Sequence, residues 1–555
     1  MSIYYIEKLQ TLLVGNTAHR GLYSQWHSSV KGQFSIRPKR VFSTLASKQL
    51  VPPSAKCSLD CIFANAYHWL EINQRSDDMN IHIMGLNGQK KDINTQQFEL
   101  YTSSIRGEVL LPDTAGYAEA RALWNGMIDI CPALIVRCSG TADVVTTIQF
   151  ARKNELLISL KGGGHNIAGS ALCDGGLTLD MSSMKGISVD PKARIARVQS
   201  GVCLGDIDHE TQRFGLAVPT GINSTTGIAG LALGGGYGWL SRAFGHTVDN
   251  IISVDLVDAQ GEFLHVSEQE NSELFWAIRG GSGNFGVVTQ FELKLHPVGP
   301  IVFGGPVVFP LTEAKSILRT FRDIAKSMPD EASCWPVMRK APPFPFLAPE
   351  HHGKPVIILP MIYVGETAKG EAALAPLRSI AKPLADAVGP VPYAAWQAAF
   401  DPLLTLGARN YWKSSDFTEM TDELIDTLVN AAEQLPSDEC EIFTAQLGGA
   451  ASRVAPDAMA FPHRSTAYTV NIHGRWQTED RDDACKGWVR ELFNQLEKFS
   501  TGSVYVNFVP EYDEERSIGP YGANKPKLEE IKSRVDKLNL FRSNINILPN
   551  AQITC

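Results

Sequence analysis

With 555 residues, 44% hydrophobic and 20% charged, the chain is long enough for two or more packed cores and has the balance of a globular protein rather than a fibrous or disordered one. A formal net charge of −8 argues against a nucleic-acid partner, because phosphate binding needs a concentrated positive surface, and turns attention to a small-molecule substrate. No apolar run approaches the roughly 20 residues of a membrane helix and no signal-peptide pattern opens the chain, so no membrane partner and no secretion are expected.

In chain order, residues 1–95 stand apart. The first fifty carry Lys8, Arg20, Lys31, Arg37, Lys39, Arg40 and Lys48 against the single acid Glu7. Three readings fit this composition: an acid-poor mitochondrial presequence, a disordered extension, or an upstream start preceding a truer beginning at Met79. A soluble intracellular protein is expected, mitochondrial if the leader is a presequence. The ten cysteines show no paired C-x-x-C knuckles. Cys57 and Cys61 have no His or Cys partners at ligand spacing, so no metal is expected.

From Pro132 strands and helices alternate. ALIVRC is a short apolar run, ADVVTTIQFARKN has helical spacing, and ELLISLKGGG reads as a strand running into glycines. LTLDM, RIARVQSG and ISVDLVDAQG continue as strands, and VVTQFELKLHPVG closes an α/β unit over residues 96–300. Residues 301–500 change character. Pro-rich connections separate helical stretches (LTEAKSILRTFRDIAKSM, DDACKGWVRELFNQLEKF) from strands (VIILPMIYVG, AYTVNIHGRW), which predicts an α+β second domain. Residues 501–555 read as a helix and an extended tail.

Three glycine clusters carry the functional signal: Gly162, Gly163 and Gly164 before His165 and Asn166; the run from Gly221 through Gly227 and Gly230 to Gly234, Gly235 and Gly236; and Gly280 to Gly286. Without Cβ atoms, backbone N–H groups can converge on an anion such as a pyrophosphate, although each cluster alone also fits a tight turn. Gly281, Gly283 and Gly286 match G-x-G-x-x-G in letters. They follow a helix-like stretch and precede a strand, the reverse of the dinucleotide fingerprint, so a Rossmann nicotinamide site is rejected.

Taken in order, KGGGHNIAG, GINSTTGIAGLALGGGYGWLSR, GHTVDNIISVDLV, LFWAIRGGSGNFGVVTQFEL and FRSNINILP resemble the FAD-linked oxidases of the p-cresol methylhydroxylase and vanillyl-alcohol oxidase superfamily, berberine-bridge-enzyme-like branch. The resemblance covers residues 110–550. It implies an α+β protein: a two-subdomain FAD-binding domain of the p-cresol methylhydroxylase type, a substrate domain with an antiparallel sheet covered by helices, and a C-terminal segment returning to the first domain. It also implies FAD bonded through its 8α-methyl to His165 alone, because Asn223 stands where many relatives place a second, cysteinyl link. Such a bond withdraws density from the flavin and favours hydride uptake. The matching FAD contacts are Gly162 to Asn166, Gly221, Thr225, Gly227, Gly230, Gly234, Gly235, Val288, Asn544 and Asn546. Thr226 falls where relatives control oxygen access.

The segment Tyr505-Val506-Asn507-Phe508 resembles the family's Y-x-N strand. It implies Tyr505 as the base and Asn507 as its companion on the same strand face. Lys413 is the sequence's candidate for stabilising phenolate, while His463 and Arg464 read as edge-loop residues and Asp180 and Asp249 as turn anchors. The implied reaction is oxidation of a CH–OH carbon of a sugar or alcohol, or of an amine-bearing carbon, by hydride transfer to flavin N5 with O₂ as acceptor. The alternatives are a flavin dehydrogenase using another acceptor and a non-catalytic binding protein of the same fold. No feature sets the oligomeric state.

Overall fold

The apolar run at Leu134–Arg137 and the helix Thr141–Lys153, which buries Val144, Thr147, Ile148 and Ala151 at helical spacing, form the first crossover of the chain. The computed structural model describes residues 81–510, 519–542 and 545–550. The basic leader, Cys57, Cys61 and Asn544 lie outside them. The crossover ends in Ile158–Lys161, which pairs in parallel with Leu177–Asp180; that strand pairs in parallel with Leu134–Arg137 on its other side. Glu108–Leu110 adds an antiparallel edge. A second, five-stranded antiparallel sheet follows, in the order Phe263–Ser267, Ile251–Val257, Val287–Lys294, Ile195–Gln199, Ile187–Asp190.

One boundary moves. Ile81–Met84 and Lys90–Ile93 form an antiparallel hairpin tied to the first domain by Met84 N–H donating to Gly175 O (2.7 Å). Ile83 and Ile93 are buried in the first domain's core. Part of the segment read as extension therefore belongs to the folded body, since four-residue strands give little period-2 signal.

The second domain starts at Ile301–Pro310 and is a nine-stranded sheet that continues through Pro355–Tyr363, Val337–Lys340, Glu441–Gln446 and Tyr468–Trp476 to the edge strand Arg409–Phe417, all antiparallel. Helices Ala314–Ala325, Thr367–Arg378, Asp422–Ala432 and Asp482–Leu496 contribute the buried residues that cover one face. The first helix shows why: Ile317, Leu318, Phe321 and Ala325 recur on one side. The other face of the sheet is left for the site.

The C-terminal helix Lys525–Val535 and the tail behind it return to the third glycine cluster. Lys532, fully buried, donates to Asn284 O, Phe541 O and Asp536 Oδ2, each at 2.7 Å, using all three ammonium donors. Asn284 Nδ2 donates to Ile545 O (3.0 Å), and Ile547 N–H donates to Asn284 Oδ1 (3.1 Å). Replacing Lys532 with Met removes the buried counter-ion of Asp536 and leaves its carboxylate to the Leu540 and Phe541 N–H groups. A loss of about 3–5 kcal/mol is expected in a denaturant titration, and an unchanged midpoint contradicts this role. Among the described residues no helix is long and apolar enough to cross a membrane, and no cluster of three or more His, Cys, Asp or Glu could hold a metal.

Candidate active site

The free face of the second domain's sheet and the first two glycine clusters enclose a cavity of about 770 Å³. Gly162, Gly163, Gly164, His165, Asn166, Gly221, Gly227, Gly230, Val288, Tyr505 and Asn507 all line it. Two kinds of glycine meet there. A Cβ on Gly163 would lie 2.3 Å from Gly227 N, and one on Gly227 would lie 2.3 Å from Gly163 N, so the two loops touch backbone to backbone. At Gly230 a Cβ would meet nothing within 4 Å, and at Gly162 nothing nearer than 3.6 Å. Protein packing does not require those two residues to be bare. Their missing side chains leave room for an occupant of the cavity, which fits a dinucleotide held by backbone groups.

His165 is fixed on three sides. Its Nε2 lies 2.8 Å from Thr225 Oγ1, its Nδ1 lies 3.5 Å from Thr226 Oγ1, and the Trp124 ring stacks on it with centroids 5.2 Å apart. Trp124 is itself held by its indole N–H donating to Leu404 O (2.9 Å). Burial pushes the imidazole down to about 4, so it is neutral at ordinary pH. Thr225, expected as a cofactor contact, acts on His165 and does not line the cavity. The adjoining Ser224 is clamped by Asp401 of the second domain through its N–H (2.9 Å) and Oγ (2.5 Å).

Tyr505 does not sit on a strand. It is an extended residue opening a 3₁₀ turn at Val506–Phe508, and that turn brings Asn507 Nδ2 within 2.8 Å of its Oη. The Gly236 N–H donates to the same oxygen (3.0 Å). The sequence shows Gly236 only as the end of the second glycine run, because only the tertiary fold aims its N–H at Tyr505. Its φ of +75° makes that aim possible, and a Cβ there would lie 2.3 Å from Thr247 Oγ1. Burial pushes the Tyr505 phenol up to about 12 against the pull of these two donors.

Three expectations are corrected. Lys413 faces away from the site: in Arg409–Phe417 Trp412 lines the cavity, so its neighbour points to the opposite face, where Lys413 Nζ lies 4.6 Å from the Phe493 ring centroid. Gly234 and Gly235 do not line the cavity. A Cβ on Gly234 would lie 2.3 Å from Asn507 Oδ1 and one on Gly235 2.7 Å from the Phe461 ring, so both make room for protein. Asn546 is likewise off the cavity lining, with its Oδ1 buried and without a protein partner. The edge residues behave structurally: Arg464 donates two hydrogen bonds in a buried bidentate ion pair to Asp249 (2.7 and 2.9 Å), and His463 Nε2 is hydrogen-bonded to Pro520 O (2.9 Å). Asp180 Oδ1 accepts from the Ser182 N–H (3.0 Å), anchoring its turn.

The sheet face adds groups that no motif flagged. Arg339 and Glu441 pair at 2.5 Å, and His473 Nδ1 reaches the other Glu441 oxygen at 3.2 Å; all three line the cavity. Burial raises the Glu441 carboxyl, but Arg339 and His473 outweigh it and hold the carboxyl below its usual range. The three are far apart in sequence and meet only through strand register, Arg339 opposite Glu441 and Glu441 opposite His473. The rings of Tyr237, Trp335, Trp412, Phe443 and Phe508 complete this wall.

His165 and Tyr505 line one cavity with bare glycines on its wall, an arrangement that fits an FAD-linked oxidoreductase. Two family models agree: an FAD binding domain matches residues 132–267, and a berberine and berberine-like segment matches residues 504–548. An FAD-linked oxidoreductase of Dictyostelium discoideum is 32% identical over 460 residues, covering 82% of this chain and 97% of that protein. The (R)-6-hydroxynicotine oxidase of Paenarthrobacter nicotinovorans is 29% identical, covering 80% and 97%. The solved 6-hydroxy-D-nicotine oxidase of Arthrobacter nicotinovorans has a TM-score of 0.73 at 28% identity, covering 80% and 99%. The chain belongs to the FAD-linked oxidoreductases of the p-cresol methylhydroxylase type, in their berberine-bridge-enzyme-like branch.

Proposed function

We propose that the protein is an FAD-dependent oxidase of a small molecule. It removes hydride from a CH–OH carbon of a sugar or alcohol, or from an amine-bearing carbon, with Tyr505 taking the adjoining proton, His165 bonded to the flavin, and O₂ as the electron acceptor. The observation that carries this reading is the convergence of the His165 loop and the doubly hydrogen-bonded Tyr505 phenol on one cavity. Bound FAD supplies the hydride acceptor. Every other requirement falls to the chain itself.

Gly236 N–H and Asn507 Nδ2 both donate to Tyr505 Oη, and such donors strengthen as negative charge grows on the oxygen during proton transfer. The neutral His165 imidazole offers a lone pair at ordinary pH, as bond formation to a carbon requires. The ring-lined wall around Arg339, Glu441 and His473 suits an alcohol or amine carried on an apolar body, with the paired charges fixing its orientation. The relative named for hydroxynicotine oxidation supports the amine-bearing arm.

Anaerobic mixing with a panel of alcohols, sugars and amines tests the reaction: at least one donor is expected to bleach the flavin absorbance, and a flavin that none bleaches refutes it. Admitting air should return the colour with one equivalent of hydrogen peroxide. Bleaching without peroxide moves the protein to the dehydrogenases. Acid precipitation tests the bond, since flavin released wholly into the supernatant rules out attachment at His165.

A further inference from the structure

We propose that Arg339 is a specificity-determining residue whose unspent guanidinium donors bind a neutral oxygen, carried at the end of an aromatic substrate away from its reacting carbon. The inference rests on the small-molecule oxidase reading given above and adds to it the substrate's class. It begins with what the wall shows the cavity. Pro306, Val337, Ile358, Pro360 and Phe443 line it with carbon. The rings of Trp239, Trp335, Trp396 and Trp412 line it too, yet their indole nitrogens, like Tyr237 Oη, are buried and have no protein partner. These rings therefore present their faces and carbon edges. A sugar brings a hydroxyl on nearly every carbon, and each one taken out of water without a partner costs affinity. This wall cannot match so many.

One polar cluster interrupts the carbon. Both His473 nitrogens are engaged, Nδ1 at Glu441 Oε1 and Nε2 at Asn410 Oδ1, each 3.2 Å away. Glu441 is engaged at both of its oxygens. Arg339 is not used up: Nη1 donates to Glu441 and Nε to Lys340 O (3.3 Å), while Nη2 bonds no described residue. The side chain is only 6% exposed and lines the cavity, so an occupant of the cavity is what meets the spare donors. The charge of Arg339 is already balanced by Glu441. A carboxylate brought alongside would set two negative charges against one guanidinium within a carbon wall, whereas a neutral carbonyl, phenol or hydroxyl oxygen accepts the hydrogens without that repulsion. Position gives the grip its role. Glu441 shares a strand face with Phe443, about 7 Å along it, and the Phe508 ring stands between Phe443 and Tyr505, with centroids 6.2 and 5.0 Å from theirs. Arg339 holds the substrate at a distance from the carbon that Tyr505 serves.

Calorimetric titration of the holoprotein with tetralone, tetralin, naphthoate and cellobiose tests this, because binding is read whether or not the flavin is ever reduced. Tetralone, an aromatic body with one neutral oxygen, is expected to bind about tenfold or more tighter than tetralin, which lacks the oxygen, as befits a hydrogen bond from a charged donor. Naphthoate and cellobiose should bind more weakly than tetralone. In the double variant Arg339→Met, Glu441→Gln both charges leave together, so neither is stranded in the interior. The preference for tetralone should then vanish while tetralin binds as before. Equal binding of tetralone and tetralin by wild type, or binding of neither, overturns the inference even should the variant fail to fold, and so does a preference that the variant keeps. Tightest binding of naphthoate makes the cluster an anion site and tightest binding of cellobiose a sugar site, and either contradicts it. A flavin that no donor bleaches refutes the oxidase reading and leaves these affinity ratios standing.

Discussion

Replacing Tyr505 with Phe is expected to slow flavin reduction by about 10²–10⁴-fold, the usual worth of a positioned base, while leaving FAD content unchanged. The substitution removes one oxygen and keeps the ring that packs against Tyr237 and Phe508. A fall in bound FAD of the same size contradicts the assignment, because the phenol would then be holding the fold. The pH dependence has a definite sign. The active form is the deprotonated one and burial raises the phenol to about 12, so the reduction rate of wild type should climb by about tenfold per pH unit where this step limits. Asn507→Leu removes a donor that favours the phenolate, which moves the rise to higher pH and lowers the rate at any fixed pH below it. A bell-shaped profile centred near neutrality points instead to another base, for which His473 is the nearest kind of group on the same wall.

The second large effect separates cradle from turn. Gly163→Ala places a Cβ 2.3 Å from Gly227 N, a backbone atom that cannot swing aside, so the variant is expected to be destabilised and colourless. Gly230→Ala places its Cβ where no protein atom lies within 4 Å, so the apoprotein should melt as wild type does. The same methyl intrudes on the cavity that Gly230 lines, and FAD binding should weaken by tenfold or more, of the order expected for overpacking a close-fitted site. Titration of the two apoproteins with FAD, alongside their melting curves, measures both. Wild-type affinity in Gly230→Ala means that the cavity at that point holds nothing.

Local signals were legible and non-local ones were not. The strand Ile158–Lys161 running into Gly162, Gly163 and Gly164 could be read because strand, glycines and His165 are consecutive. Tyr505 and Asn507 could be paired because they are two residues apart, although the geometry that joins them is a 3₁₀ turn rather than a strand. Lys413 failed on parity: sequence nearness to the right strand says nothing of which face a side chain takes, and Trp412 took the cavity face. Gly234 and Gly235 failed because a bare Cα signals close approach without naming the partner, here Asn507 and Phe461. Arg339, Glu441 and His473 were invisible, since strand register alone brings them together.

The chemistry of this site turns on where the flavin ring lies. Acid-precipitated holoprotein, digested and analysed by mass spectrometry, should yield one flavin-bearing peptide, the one containing His165. Flavin mass on any other peptide, or flavin lost entirely to the supernatant, contradicts it.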